Sequence, residues 1–158
     1  MTAASIKPAP IRRSLFVKAT PEHAFEVFTA GFDRWWPKGH SVGTSPQKTA
    51  VLEPMAGGRW YEVGEDGSET QWGEVMTWEP PARVVLIWRI GADWKCDPSL
   101  HTEVEVRFTP EGDGVRVDLE HRKLEAYGER AEQVKAAIDS PEGGWGGILK
   151  LFAAEAEG

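Results

Sequence analysis

Two stretches late in the chain alternate strictly between apolar and polar positions. Thr102, Val104, Val106 and Phe108 interleave with Glu103, Glu105 and Arg107, and Val115, Val117 and Leu119 interleave with Arg116, Asp118 and Glu120. A period of two sends successive side chains to opposite faces of a strand. With Gly112-Asp113-Gly114 between them, the segments His101–Thr109 and Val115–Arg122 predict a hairpin with one buried and one wet face. Further strands are expected at Ile11–Lys18, Thr49–Glu53, Arg59–Val63, Gln71–Trp78 and Arg83–Ile90. Turn residues separate them: Gly57-Gly58, Asp66-Gly67, Pro80-Pro81 and the Gly91–Pro98 loop.

Helical spacing takes over in two places. After the first strand, Thr20 is an N-cap with Pro21 at the first helical position, and Ala24, Phe25, Val27 and Phe28 fall on one side before Gly31. A short turn, Phe32 to Trp36, follows and stops at Pro37. Near the C-terminus Ala131, Val134 and Ile138 form a modest stripe, and Ser140-Pro141-Glu142 reads as the start of a last helix. There Trp145, Ile148, Leu149, Phe152 and Ala156 recur at three- and four-residue intervals, the strongest amphipathic signal in the sequence.

Dimensions turn these elements into an architecture. Seven strands about 4.8 Å apart make a sheet roughly 34 Å wide, but a helix of about 14 residues is only about 21 Å long. A flat sheet would stay partly uncovered, so it must twist and curl around the helix. The predicted fold class is α+β: a curved antiparallel seven-stranded sheet wrapped around a long C-terminal helix, with two short helices after strand one. The length of 158 residues suits one core; residues 1–10, with Pro8 and Pro10, read as a loose arm and 11–158 as a single domain.

Charge and composition narrow the partners. The formal net charge is −7, from 25 acidic and 18 basic residues, which repels phosphate backbones and anionic membrane surfaces. Neither nucleic acid nor a membrane is expected as a partner. A single cysteine, Cys96, allows no internal disulfide. No apolar run reaches the roughly 20 residues of a membrane span or forms a signal peptide, so a cytoplasmic protein is expected. Eight tryptophans stand out, since large rings either fill a core or line a site for an apolar ligand.

Catalytic signatures are weak. Gly39-His40-Ser41-Val42-Gly43 matches a nucleophile elbow, but no buried strand precedes it and no helix follows it. His23, His40, His101 and His121 stand at no metal-ligand spacing, so neither a metal nor a cofactor is expected. Arg59, Glu62, Glu74 and Arg89 are charges within apolar strands, and Gly73 marks a candidate bulge that leaves their faces open.

The element order, together with Val17-Lys18-Ala19-Thr20-Pro21-Glu22-His23-Ala24-Phe25, Trp35-Trp36-Pro37, Gly57-Gly58-Arg59-Trp60, Gly73-Glu74-Val75, Trp78-Glu79-Pro80-Pro81 with Arg83-Val84, and Gly144-Trp145, resembles the helix-grip superfamily. This SRPBCC group includes START domains and birch-pollen-allergen-like proteins, and the likeness is to its branch related to the activator of heat-shock protein 90 ATPase. The resemblance implies a cavity between the sheet and the last helix, used for ligand binding and in a minority of members for catalysis. The site residues it suggests here are Trp36, Arg59, Trp72, Glu74, Trp88, His121, Trp145, Leu149 and Phe152.

The leading expectation is a protein that holds a small hydrophobic or aromatic molecule without transforming it, with no catalytic residue assigned. The alternative is a polyketide cyclase or aromatase-like enzyme using Arg59, Glu74 or His121 to polarise a carbonyl or move a proton. A third is a co-chaperone-like interaction domain, in contact with a chaperone or a second copy of the chain. Trp145 separates pocket from core: its truncation to alanine should cost about 3–5 kcal/mol if it is core and nearer about 1–2 kcal/mol if it borders an open cavity, and the second outcome is expected.

Overall fold

The computed structural model describes residues 8–40, 42–141 and 143–158. Most of the expected arm and Ser41 of the elbow-like motif lie outside the described residues, as does Glu142. Seven strands form one antiparallel sheet: β1 (Ile11–Val17), β2 (Gln47–Leu52), β3 (Arg59–Gly64), β4 (Glu69–Glu79), β5 (Arg83–Trp88), β6 (Thr102–Glu111) and β7 (Gly114–Arg122), in the order β1-β7-β6-β5-β4-β3-β2. Among the described residues four α-helices, α1 (Pro21–Phe28), α2 (Phe32–Trp35), α3 (Ala131–Ile138) and α4 (Trp145–Glu157), and a 3-10 helix over Leu124–Arg130 complete it. The predicted α+β class and strand count hold.

The sheet's concave face packs on α4, where Trp145, Ile148, Leu149, Phe152 and Ala156 are all buried. That stripe meets the inward residues of β5, β6 and β7 in one apolar cluster, together with Phe25 and Phe28 of α1 and Phe32 and Trp35 of α2. Phe152 is held by rings on two helices, its centroid 5.3 Å from Phe28 and 5.4 Å from Trp35. Thr20 caps α1 as its sequence implies, its hydroxyl accepting from the His23 amide at 3.1 Å. The helix ends at Phe28, before Gly31, which instead opens α2.

Three expectations need correction. The last helix starts at Trp145, not at Pro141, because the chain first turns. Gly143 N donates to Ser140 Oγ, and Gly144 N donates to the Ser140 carbonyl at 3.0 Å. A Cβ on Gly144 would lie 2.2 Å from the Ile138 carbonyl oxygen, so the turn packs against the end of α3 where only glycine fits. Next, β5 stops at Trp88, since Ile90 leaves the ladder to bridge Cys96.

The outer face of the hairpin is also drier than its alternation suggests. Glu103 and Glu105 are buried beneath side chains of opposite charge. Arg122 donates to Glu103 at 3.1 Å and to Glu105 at 2.6 Å, Lys123 and His101 reach Glu103 at 3.0 and 2.7 Å, and Arg83 and Arg107 pair with Glu105. Burial alone would raise the Glu103 pKa, but hydrogen bonds from His101, Lys123 and Arg122 bring it down to about 2.

One edge of the sheet is β2. Asp33 of α2 accepts the Ala50 amide of this strand at 2.9 Å while also paired with Lys38. These contacts outweigh its partial desolvation and hold the Asp33 carboxyl below its usual range.

Candidate functional site: an indole-lined cavity

Between the start of α4, the segment after α2 and the ends of β4 and β5 lies a cavity of about 510 Å³. Its inner wall is four tryptophans: Trp36 after α2, Trp72 on β4, Trp88 on β5 and Trp145 on α4. The rings brace one another. Trp36 lies 5.1 Å from Trp72 and 6.1 Å from Trp145, and Trp88 lies 5.9 Å from Trp145. Trp60 sits behind this wall, 5.6 Å from Trp72 and 5.7 Å from Trp88. His40, Val42, Ile90, Trp94 and the α3–α4 junction form the rest of the lining. A volume of this order with mostly apolar walls suits a drug-sized ligand.

The local fold puts these rings on one face through a bulge. Tyr61 pairs with Gln71 and Trp60 with Gly73, so Trp72 is an extra residue on β4. Trp72 and Gly73 are both buried, and the alternation then resumes out of phase. A Cβ on Gly73 would come 1.7 Å from the Ile87 carbonyl oxygen, which explains glycine at the bulge.

Three of the four wall indoles are tied by their N–H groups. Trp72 Nε1 donates to Glu62 Oε1 at 2.9 Å, and Trp88 Nε1 to the Ile90 carbonyl at 3.2 Å. Trp145 Nε1 donates to His121 Nδ1 at 3.2 Å. The imidazole is then fixed: with Nδ1 accepting, Nε2 carries the proton and donates to Thr102 Oγ1 at 3.0 Å, and that hydroxyl donates to the Trp88 carbonyl at 2.9 Å. This chain of three bonds joins α4, β7, β6 and β5 beneath the cavity. Nearby, the Tyr127 hydroxyl donates to the Ile90 carbonyl at 2.7 Å, and burial pushes its pKa up to about 12. Trp36 Nε1 and Trp60 Nε1 are buried without a partner among the described residues.

Of the nine residues suggested by sequence, Trp36, Trp72, Trp88 and Trp145 come together around the cavity. His121 lies behind Trp88 and Trp145 and is fully buried, while Leu149 and Phe152 are core beneath α4. Arg59 and Glu74 lie on the convex face. Arg59 pairs with Glu69 at 2.7 Å and covers the Tyr61 ring, and Glu74 pairs with Arg89 at 3.1 Å. The strand charge that turns inward is Glu62, which is 1% exposed and accepts from Val42 N as well as from Trp72. His40 and Trp94 were missed as lining residues because both sit in connections that no periodicity places.

Burial pushes the His121 pKa down to about 3 from an ordinary 6.5. A group depressed in this way is neutral in the folded protein but takes a proton in the unfolded chain below its ordinary value. Stability is therefore lost as pH falls from 6.5 toward 3. Between pH 7 and pH 5 the loss from this residue should be about 2 kcal/mol, and urea denaturation at the two pH values measures it. The pH dependence should shrink in His121→Gln; an equal drop in both proteins would assign it to other groups.

Comparison with known proteins places this geometry. The family described as "Activator of Hsp90 ATPase homolog 1-like protein" matches residues 18–157. An anthrahydroquino-γ-pyrone synthase, Txn09, is 38% identical, with alignment over 94% of this chain and 97% of its own and a TM-score of 0.65. CalC from Micromonospora echinospora, a self-sacrificing resistance protein, is 31% identical over 94% of both chains with a TM-score of 0.70. The Aha1 dimer from Colwellia psychrerythraea shares the fold at 14% identity, with a TM-score of 0.63 over 95% of this chain and 97% of its own. No curated protein matches the chain.

Proposed function

The chain belongs to the family of activator of Hsp90 ATPase homolog 1-like proteins, and from that premise we propose that it binds a flat, polycyclic aromatic small molecule in the indole-lined cavity. The carrying observation is the wall of four mutually braced tryptophans around about 510 Å³. Aromatic faces favour offset or edge contact with other rings and add to the burial of apolar area. One relative above 30% identity supports the same direction, because it is named as the synthase of a polycyclic aromatic product. Among the described residues no helix is long and apolar enough to cross a membrane.

The test is titration with a planar quinone such as alizarin, followed by tryptophan fluorescence and calorimetry. Saturable one-to-one binding with quenching is expected, because several indoles would contact the rings. Trp72→Leu should weaken it at least about tenfold while leaving a folded protein. Binding that does not saturate, or that Trp72→Leu leaves intact, would place any affinity outside the cavity.

A second reading, a cyclase-like enzyme, is favoured by the likeness to a synthase. The residues first suggested for proton transfer do not support it, since Arg59 and Glu74 are on the far face and both nitrogens of His121 are engaged. The acid–base candidates on this reading are His40, in the lining, and Glu62, one residue behind Trp72.

A further inference from the structure

Trp94 combines three features that the packing of the protein does not require. It belongs to the connection between β5 and β6, and its backbone has φ of 62°, the left-handed region that a bulky side chain rarely adopts. The residue is 48% exposed, the most exposed of the large aromatic residues. It nonetheless lines the same cavity as Trp36, Trp72, Trp88 and Trp145. Glycine would fit this backbone without strain, and a polar residue would leave less apolar surface in water.

The connection also holds Trp94 in place. Gly91 N donates to the Lys95 carbonyl at 2.7 Å, Trp94 N to the Gly91 carbonyl at 2.9 Å, and Lys95 N to Asp93 Oδ1 at 3.1 Å. At its base Ile90 bridges Cys96, and Asp97 N donates to the Arg89 carbonyl at 2.8 Å. The indole therefore starts from a backbone already fixed by its own hydrogen bonds, so little backbone freedom remains to be lost when a ligand arrives. The wall tryptophans are buried and braced from behind, whereas Trp94 has an open face.

We infer that Trp94 is the outer stacking surface of the cavity and selects ligands with an extended planar face. This rests on the cavity being a binding site for polycyclic aromatics and adds to it the residue that discriminates among apolar molecules of similar size. A saturated ring system can bury itself against the inner wall but offers no π face to Trp94. A planar one can be covered on its solvent side.

Calorimetry on the full chain with two probes separates these contributions: alizarin, which is planar, and cholate, a saturated four-ring acid. The wild-type protein should bind alizarin, and Trp94→Gly should weaken that binding about tenfold, the order of one lost aromatic contact. Cholate affinity should fall clearly less than alizarin affinity, Trp94→Phe should keep most of the alizarin affinity, and the melting temperature of Trp94→Gly should not fall. Equal loss of both probes, or no loss of alizarin, would overturn the selective role. A fall of several degrees in melting temperature would show that Trp94 is structural. If the wild-type chain binds neither probe, the cavity reading fails and this inference falls with it.

Discussion

Gly73→Ala should cost more than about 4 kcal/mol and leave little soluble, folded protein, since natural domains hold only about 5–15 kcal/mol in total. The added methyl would begin 1.7 Å from the Ile87 carbonyl oxygen. That atom is backbone in the centre of the sheet, so no rotamer change makes room. Either β4 and β5 separate, or the bulge slides and turns Trp72 away from the cavity wall. Circular dichroism and urea denaturation would measure the loss. A cost below about 1 kcal/mol would show that the strand can re-register without penalty.

The second large effect is at Trp145. Its ring is 1% exposed, braced by Trp36 and Trp88, and bonded to His121. Truncation to alanine removes a buried ring, worth about 3–5 kcal/mol, and leaves His121 Nδ1 without its donor, which costs about 1–3 kcal/mol more. Relaxation into the adjoining cavity offsets part of this, so a net loss of about 4 kcal/mol is expected. Trp145→Phe keeps most of the packing and loses only the donor, and should cost about 1–2 kcal/mol. Denaturation of both variants tests the division: equal losses would mean that the hydrogen bond, not the ring, dominates. The smaller sequence-based figure for the alanine variant neglected this bond, which joins residues 24 apart.

The same comparison shows what periodicity can and cannot reach. The hairpin of β6 and β7 and the stripe along α4 follow from spacing alone, because burial on one side leaves a pattern that no other element shares. On β3 the pattern was sufficient in principle: Trp60 and Glu62 share a parity, so an inward Trp60 carries Glu62 inward and Arg59 outward. On β4 it was not. Counting from Trp72 by twos puts Glu74 inside, but the extra residue at the bulge reverses the phase, and Glu74 pairs with Arg89 on the convex face. A glycine signals that a bulge is present but not which residue it adds.

Loop-borne parts of the site escape for a different reason. His40, Trp94 and the Gly143–Gly144 turn reach the cavity only through contacts distant in sequence, such as Gly144 against the Ile138 carbonyl oxygen. The tryptophans were visible as an excess, yet their division between wall and core depended on the curl of the sheet. Trp60 and Trp72 lie on neighbouring strands, touch and are both fully buried, but only Trp72 belongs to the cavity lining.

The carboxylate of Asp33 has a consequence for how copies of this chain meet. An unpaired strand edge offers a row of amides and carbonyls to any extended segment, and sheets grow or aggregate through such edges. The Ala50 amide points away from β3, where an added strand would dock, and it is already bound to Asp33. Another chain lengthening the sheet there would have to displace a negative charge that Lys38 also holds. Strand-to-strand recruitment is thus opposed at the β2 edge, which leaves β1 as the other edge of the sheet.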